Sequence, residues 1–184
     1  EFIHKKNGKI GFPVQISINN IAAHYTPLPD DSLCLKSGDL VKLDLGAQVE
    51  GFIGDTALTL EIKTNNNQEL IKASKKALEE AIKLCKPGVK VCEIGEVVNE
   101  TITSLGFKPI KNLSGHKVDR YILHSHISIP NFNNGDKTEL EEGMVIAIEP
   151  FATTGSGFVK EGKPSSNFRM HNPKQVRDSM TRDV

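Results

Sequence analysis

The sequence lacks several features that mark particular classes of protein. It has no tryptophan, and its 23 Lys and Arg residues balance its 23 Asp and Glu residues, so the formal net charge is zero. Proteins that coat nucleic acids or bind membrane surfaces usually carry an excess of basic residues. We therefore expect neither a nucleic acid nor a membrane among the partners of this chain.

Cysteine pairs and long apolar runs are also missing. The three cysteines, Cys34, Cys85 and Cys92, are odd in number and form no C-x-x-C pair, so a reducing compartment is the simplest interpretation. No segment approaches the roughly 20 apolar residues that a membrane-spanning helix needs, and no hydrophobic signal segment opens the chain. These absences predict a cytoplasmic protein.

The length of 184 residues is sufficient for one substantial hydrophobic core. No linker-like stretch divides the chain, so we expect a single domain over residues 1–184, with a polar tail over residues 160–184. The chain begins at Glu1 rather than at a methionine. We therefore expect it to be part of a longer protein.

The hydrophobic pattern changes its period along the chain. Alternation with a period of two predicts strands near the start, at 14–18, 40–45 and 52–62. Apolar residues at three-four spacing then predict a helix over 68–84 and a second helix that ends at Gly106. Short apolar segments predict further strands at 121–124, 127–129 and 144–148. This order favours an α+β fold with helices packed on one face of an antiparallel sheet.

Two aspartates stand in the apolar strands at 40–45 and 52–62. A turn centred on residues 49 and 50 would place Asp44 directly opposite Asp55, with β-carbons about 4.5–5.5 Å apart. Two carboxylates at that distance need a shared proton or a cation between them. The alternative is a different register, or an aspartate that belongs to a turn. Because Asp is depleted in strands, the pair favours a metal site.

Three histidines and one glutamate could complete such a site. His24 follows a strand-loop junction, His116 follows a glycine that permits close backbone approach, and His124 ends an apolar run. Each alone is more often a structural or surface histidine than a ligand. Glu149 closes an otherwise uncharged strand just before a proline, which suits a loop residue and a ligand equally well.

Five motifs occur in one order between about residue 11 and about residue 157. They are AAHYTP around His24, DLG at Asp44 with DTA at Asp55, SGH ending at His116, LH ending at His124, and IEPF around Glu149. Together they resemble type II methionine aminopeptidases, above all the archaeal ones. Each motif alone is weakly specific, whereas their shared order is strongly so.

This resemblance implies a pita-bread fold, in which two similar αβ halves enclose two divalent metal ions. The ions would be Mn, Co, Fe or Zn, because oxygen ligands with one imidazole suit each of them. Asp44 would be a terminal ligand of one ion, Asp55 would bridge both ions, and His116 and Glu149 would bind the other ion.

The resemblance also implies a reaction and roles for three further residues. A metal-activated water would remove the initiator methionine from nascent proteins whose next residue is small. His24 would contact the amino end of the substrate, His124 would hold the scissile carbonyl oxygen, and Phe12 would form a wall of the methionine pocket. We expect a monomer that works near the ribosome.

The chain departs from this family pattern in several places. A helical segment before the first motif, a winged-helix-like insertion and a late E-H-T-like motif with a second bridging Glu have no counterpart here. Glu161, Asp178 and Asp183 lie in a polar stretch without a strand pattern. We therefore expect an incomplete catalytic domain that binds two ions weakly and has little or no peptidase activity. His126 replaces a small or aliphatic residue, so it either crowds the pocket or is exposed.

Two alternatives remain at the level of sequence. Prolidases and aminopeptidases P share the pita-bread fold, but they usually carry an Arg shortly after the second Asp, where this chain has Thr56-Ala57-Leu58-Thr59. Pita-bread proteins that have become non-catalytic interaction modules usually lose metal ligands. Retention of all four ligand positions within the span of this chain argues against that second alternative.

Overall fold

The computed structural model describes residues 1–165 and 167–168. Its helices and strands, in chain order, are α1 (Phe2–Lys5), β1 (Lys9–Ile18), β2 (Leu40–Val49), β3 (Phe52–Glu61), α2 (Gln68–Leu84), α3 (Val91–Ser104), β4 (Lys108–Pro109), β5 (Ser114–Val118), β6 (Ser128–Pro130), β7 (Val145–Ala147) and β8 (Ala152–Thr153). The expected α+β class is confirmed. Most of the predicted tail at 160–184, including Asp178 and Asp183, lies outside the described residues.

The first sheet is antiparallel, with the strand order β1-β2-β3. Glu50 and Gly51 form the turn between β2 and β3, and both have positive φ angles, of 50° and 87°. A two-residue turn of this kind matches the right-handed twist of a hairpin, and glycine adopts positive φ at little cost. The turn therefore fixes the register of β2 against β3.

That register differs from the one expected from the sequence. Asp44 lies opposite Ala57, and Asp55 lies opposite Gly46, because the turn is centred one residue later than predicted. The prediction that Asp44 lies directly opposite Asp55 was therefore wrong. The shift of the pairing by two residues keeps both carboxylates on the same face as diagonal neighbours, whose α-carbons are about 7–8 Å apart.

Strand β1 is irregular beside this pair of aspartates. Its register against β2 shifts on both sides of Phe12, around Pro13, which cannot donate a backbone hydrogen bond. Phe12 lies opposite Gly46, and a β-carbon at position 46 would come within 2.3 Å of the Phe12 ring. The Phe12 ring thus covers the backbone at Gly46, in the sheet row that also contains Asp55.

The core lies between the two long helices and a second sheet. The predicted bounds of α2 are confirmed, and it packs on α3 through the buried alanines Ala77 and Ala81. Helix α3 buries a wider apolar face, which consists of Val91, Ile94, Val98 and Ile102. Small residues on α2 permit close approach of the bulkier α3, as interdigitated packing requires. None of the helices in the described part of the chain is long and apolar enough to cross a membrane.

The second sheet has the antiparallel order β6-β5-β7. The strand predicted at 121–124 was wrong, because this segment belongs to a tight turn. The N–H groups of Asp119 and Ile122 each donate to the other residue's carbonyl at 2.9 Å, and Tyr121 has a φ of 62°. The loop from this turn to β6 carries His124 to the edge of the site.

Candidate metal centre

His116 lies at the centre of a cluster of acidic side chains. Its Nε2 atom is 3.4 Å from Oδ2 of Asp55 and 3.1 Å from Oε1 of Glu149. One ligand atom from each of these three residues lies within 4.8 Å of the other two. Three of the four predicted metal ligands are thus brought together from β3, β5 and the segment after β7.

The backbone around β5 explains how Glu149 reaches His116. His116 lies opposite Ala147 in the register of β5 against β7, and Glu149 follows two residues later. A β-carbon on the neighbouring Gly115 would lie only 2.1 Å from the carbonyl oxygen of Ala147. The expectation that this glycine permits close backbone approach is confirmed.

Asp44 lies outside the tight cluster but is electrostatically coupled to it. Its Oδ1 atom is buried without a hydrogen-bond partner in the described structure. Burial, followed by the negative charges of Asp55 and Glu149, raises the pKa of the Asp44 carboxyl to about 6. A buried carboxylate oxygen without a donor is one that a cation would stabilise.

Two neighbouring carboxylates favour the protonated form of His116. Burial lowers the pKa of its imidazole, but the hydrogen bonds to Asp55 and Glu149 outweigh this effect and raise the pKa to about 10. A divalent ion at Nε2 would take the place of the proton between the same carboxylates. One imidazole, two carboxylates and the unpartnered Asp44 oxygen form a donor set that fits a divalent cation.

His124 lies beside the cluster, and His24 lies close enough to His124 to affect its titration. The His124 ring meets the His116 ring edge to face, with centroids 4.3 Å apart. Partial desolvation of the ring, and then the nearby positive charge of His116, lower the pKa of His124, and His24 lowers it further. Both His24 and His124 are exposed to solvent, whereas His116 is buried. The two outer histidines are therefore accessible to a ligand that approaches the cluster.

The structure decides whether His126 crowds the pocket or is exposed. Its side chain is exposed, and its Nδ1 atom lies 3.2 Å from the hydroxyl of Ser125. Ser125 itself donates to the carboxylate of Asp119 at 2.5 Å. His126 therefore lies on the surface and does not crowd the site.

Sequence reasoning missed Gln15 as a residue of the site. The alternation in β1 identified a strand, but the pattern did not indicate that its polar positions are the buried ones. Gln15 is 8% exposed and Ser17 is 1% exposed, whereas Val14 is 44% exposed. The one available signal was the position of Gln15 in a strand just before the segment that carries His24.

The raised pKa of His116 predicts how the stability of the metal-free protein depends on pH. The folded state keeps a proton on His116 up to about pH 10, whereas an unfolded histidine loses it near pH 6.5. The stabilisation is fully present below pH 6.5 and is lost between 6.5 and 10, at about 1.4 kcal/mol for each pH unit at most. Thermal unfolding in a chelator, with His116→Asn as the comparison, will show this decline in the unsubstituted protein alone.

The exposed His126 provides the control for this measurement. His126→Asn should follow the unsubstituted protein across the pH range, because the side chain makes no contact with the cluster. Equal pH dependence of the unsubstituted protein and His116→Asn would contradict the assignment of the raised pKa to His116.

The chain is similar to known metallopeptidases. Residues 1–176 match metallopeptidase family M24. A methionine aminopeptidase of Thermococcus onnurineus is 48% identical over 189 aligned positions, which cover 100% of this chain. The chain spans 64% of the length of that relative. The sequence resemblance to archaeal methionine aminopeptidases is thereby confirmed.

Two solved structures share the fold. A crystal structure of methionine aminopeptidase from Thermotoga maritima matches with a TM-score of 0.80 and 31% identity, over 90% of this chain and 70% of that one. A prolidase from Pyrococcus furiosus matches with a TM-score of 0.65 and 30% identity, over 82% of this chain and 44% of that one. The expected pita-bread fold is confirmed by these matches.

Proposed function

Because the chain belongs to metallopeptidase family M24, we propose that it provides a catalytic centre that removes the initiator methionine from nascent proteins. The observation that carries the proposal is the cluster of Asp55, His116 and Glu149, with the buried Asp44 oxygen beside it. The similarity to a methionine aminopeptidase selects the substrate class. The activity is proposed for the protein that contains this chain, since the chain covers 64% of that relative.

Four side chains are proposed to hold two divalent ions, namely Asp44, Asp55, His116 and Glu149. Their three carboxylates and one imidazole suit Mn, Co, Fe or Zn. Such ions polarise a peptide carbonyl and make a water molecule nucleophilic at neutral pH. The separation of Asp44 from the tight cluster supports ligation of two ions rather than one, because its unpartnered oxygen then serves a second position.

The outer side chains are proposed to orient the substrate. His124 is exposed and its ring lies against that of His116, so a ring N–H could donate a hydrogen bond to the scissile carbonyl oxygen as negative charge develops there. His24, which is accessible on the same side, would contact the amino end of the substrate. Phe12 lies on the same sheet face as Asp55 and would form a wall of the methionine pocket.

The proposed substrates are nascent chains that begin with methionine and continue with a small residue. We further propose that the protein acts as a monomer in the cytoplasm, close to the ribosome. Neither a nucleic acid nor a membrane is among the proposed partners, because the sequence has no excess of basic over acidic residues.

A comparison of peptides tests the proposed reaction. The protein expressed from its whole gene, supplied with Mn²⁺ or Co²⁺, should release methionine from Met-Ala-Ser and should leave Ala-Pro peptides intact. His124→Ala should lower kcat/KM by about 100-fold, as the loss of an oxyanion donor does, whereas His126→Ala should leave it unchanged. Preferential cleavage before proline would favour a prolidase, and no hydrolysis of either peptide would favour a non-catalytic module.

The expectation of weak activity for the 184-residue chain is tested by a parallel comparison. Isothermal titration with Mn²⁺ and the Met-Ala-Ser assay are performed on this chain and on the product of its whole gene. We expect weaker binding and slower hydrolysis by the 184-residue chain. Tight binding of two ions with equal turnover would contradict this expectation.

A further inference from the structure

The segment that carries His24, residues 19–25, lies against β1. The N–H of Ile16 in β1 donates to the carbonyl of Tyr25 at 2.7 Å. The N–H of Tyr25 in turn points to the hydroxyl of Ser17, at 3.4 Å. These contacts fix the residue that follows His24, but they do not hold His24 itself.

His24 has a backbone conformation that needs support from its surroundings. Its φ angle is +66°, in the left-handed region that residues other than glycine seldom adopt. Its N–H donates to Oε1 of Gln15 at 2.8 Å. The Gln15 side chain therefore supplies the hydrogen bond that holds His24 in this conformation.

Gln15 is placed to connect His24 with the metal centre. It lies directly opposite Asp44 in the register of β1 against β2, so both side chains are on the face that carries the acidic cluster. It is also almost completely buried. A buried amide oxygen is tolerated when it accepts a hydrogen bond, and the backbone N–H of His24 provides one.

The other end of the segment is anchored independently. The side-chain oxygen of Asn19 accepts the N–H of Leu40 at 2.9 Å, and the Asn19 carbonyl accepts a hydrogen bond from the ammonium group of Lys42 at 2.8 Å. Loss of the Gln15 acceptor would therefore leave the segment attached to the sheet. It would release His24 alone.

We propose that Gln15 is a positioning residue, which fixes the backbone of His24 and thereby aims the His24 imidazole over the metal centre. The proposal rests on the substrate-contacting role of His24 in the proposed function. Gln15 does not touch the reacting atoms. Its effect on catalysis is transmitted through His24.

Hydrogen exchange tests the structural half of this proposal without any activity measurement. In Gln15→Met, which has a similar length but no strong acceptor, the His24 amide should exchange at least about 10-fold faster than in the unsubstituted protein. Equal protection of His24 in Gln15→Met would overturn the proposal.

Gln48 offers a matched control in the same sheet. Its Oε1 atom accepts the backbone N–H of Gly51 at 2.9 Å, at the hairpin turn. Gln48→Met should accelerate exchange at Gly51 and leave exchange at His24 unchanged. If it accelerated exchange at His24 as well, the effect of Gln15→Met would reflect general loosening of the sheet and the proposal would fail.

A double-mutant cycle tests the functional half with Met-Ala-Ser as the substrate. Gln15→Met alone should lower kcat/KM by about 10-fold, because misplacement of a substrate contact by a fraction of an ångström is costly. In a His24→Ala background the same substitution should change kcat/KM by less than about 2-fold. Additive effects would mean that Gln15 acts independently of His24 and would overturn the proposal.

The same cycle separates failure of this inference from failure of the proposed function. If His24→Ala leaves kcat/KM unchanged, the substrate-contacting role of His24 is wrong and the inference falls with it. If His24→Ala is defective and Gln15→Met is not, only the inference is wrong. Unchanged Mn²⁺ affinity in Gln15→Met is also expected, and weakened affinity would instead assign Gln15 to the support of Asp44.

Discussion

Replacement of Asp44 by asparagine is expected to weaken divalent-cation binding by at least about 100-fold, and to stabilise the metal-free protein. The two effects have one origin. Asp44 is an ionised carboxylate beside Asp55 and Glu149 at neutral pH, and one of its oxygens is buried without a hydrogen-bond partner among residues 1–165 and 167–168. In the proposed metal centre, this charge would be a ligand of the cation. Without one, the charge opposes folding.

The sign of the stability effect depends on pH. Because the folded pKa of about 6 lies above the ordinary value for aspartate, the folded protein is penalised at pH values above 6, where Asp44 is ionised in both states. Asp44→Asn should therefore raise the stability of the metal-free protein at pH 7.5 by on the order of 1 kcal/mol. The gain should vanish below about pH 4, where the carboxyl is protonated in both states.

Calorimetry and thermal unfolding measure the two effects separately. Mn²⁺ titration gives the affinity, and thermal unfolding in a chelator gives the stability at pH 7.5 and pH 4. Glu142→Gln, which removes an exposed carboxylate, is the control and should change neither quantity. Unchanged Mn²⁺ affinity in Asp44→Asn would remove Asp44 from the metal centre.

Substitution of Gly115 by alanine is expected to destabilise the protein by more than about 3 kcal/mol. The added β-carbon would lie 2.1 Å from the carbonyl oxygen of Ala147 and 3.1 Å from the backbone nitrogen of Glu149. Both contacts are with backbone atoms, so no side-chain rotation can relieve them. Strand β7 must move away from β5, which would also displace Glu149 from His116 and weaken cation binding.

Gly54→Ala is the matched control for this substitution. Gly54 also lies in a strand, and the nearest atom to its added β-carbon is the carbonyl oxygen of Ala47 at 3.9 Å, an ordinary contact. Chemical unfolding in urea should show little change for Gly54→Ala and a large loss for Gly115→Ala. If Gly115→Ala does not fold, soluble expression of Gly54→Ala shows that the failure is specific to the position. Near-normal stability of Gly115→Ala would refute the close approach of β7.

The hydrophobic pattern predicted those helices and strands whose local sequence favours the same structure as their surroundings in the fold. Helix α2 has the predicted bounds because its apolar three-four repeat is long and a Lys-Pro-Gly sequence ends it. Strands β2 and β3 were identified, but β2 continues to Val49, beyond its predicted end at residue 45, and β3 ends at Glu61, one residue earlier than predicted. The two-residue strands β4 and β8 were not predicted, since two residues cannot display a period.

Errors arose where a single turn decides the position of many side chains. The Glu50-Gly51 turn moved the hairpin centre by one residue, which changed every cross-strand partner of Asp44 and Asp55 while preserving their common face. The apolar segment at 121–124 resembled a strand, but reciprocal hydrogen bonds between Asp119 and Ile122 make it a turn. Short apolar runs carry no information on such backbone pairing.

By itself, the sequence determined the α+β class, the long helices, the resemblance to a metallopeptidase family, and the residues from which a metal centre could be built. Only the tertiary structure decided that His116 lies between Asp55 and Glu149, that His126 faces solvent, and that Gln15 holds His24. The physical reason is that helical period and residue type are local properties of the chain. The distances between side chains from different strands depend on register, turns and packing, which are fixed only when the whole chain folds.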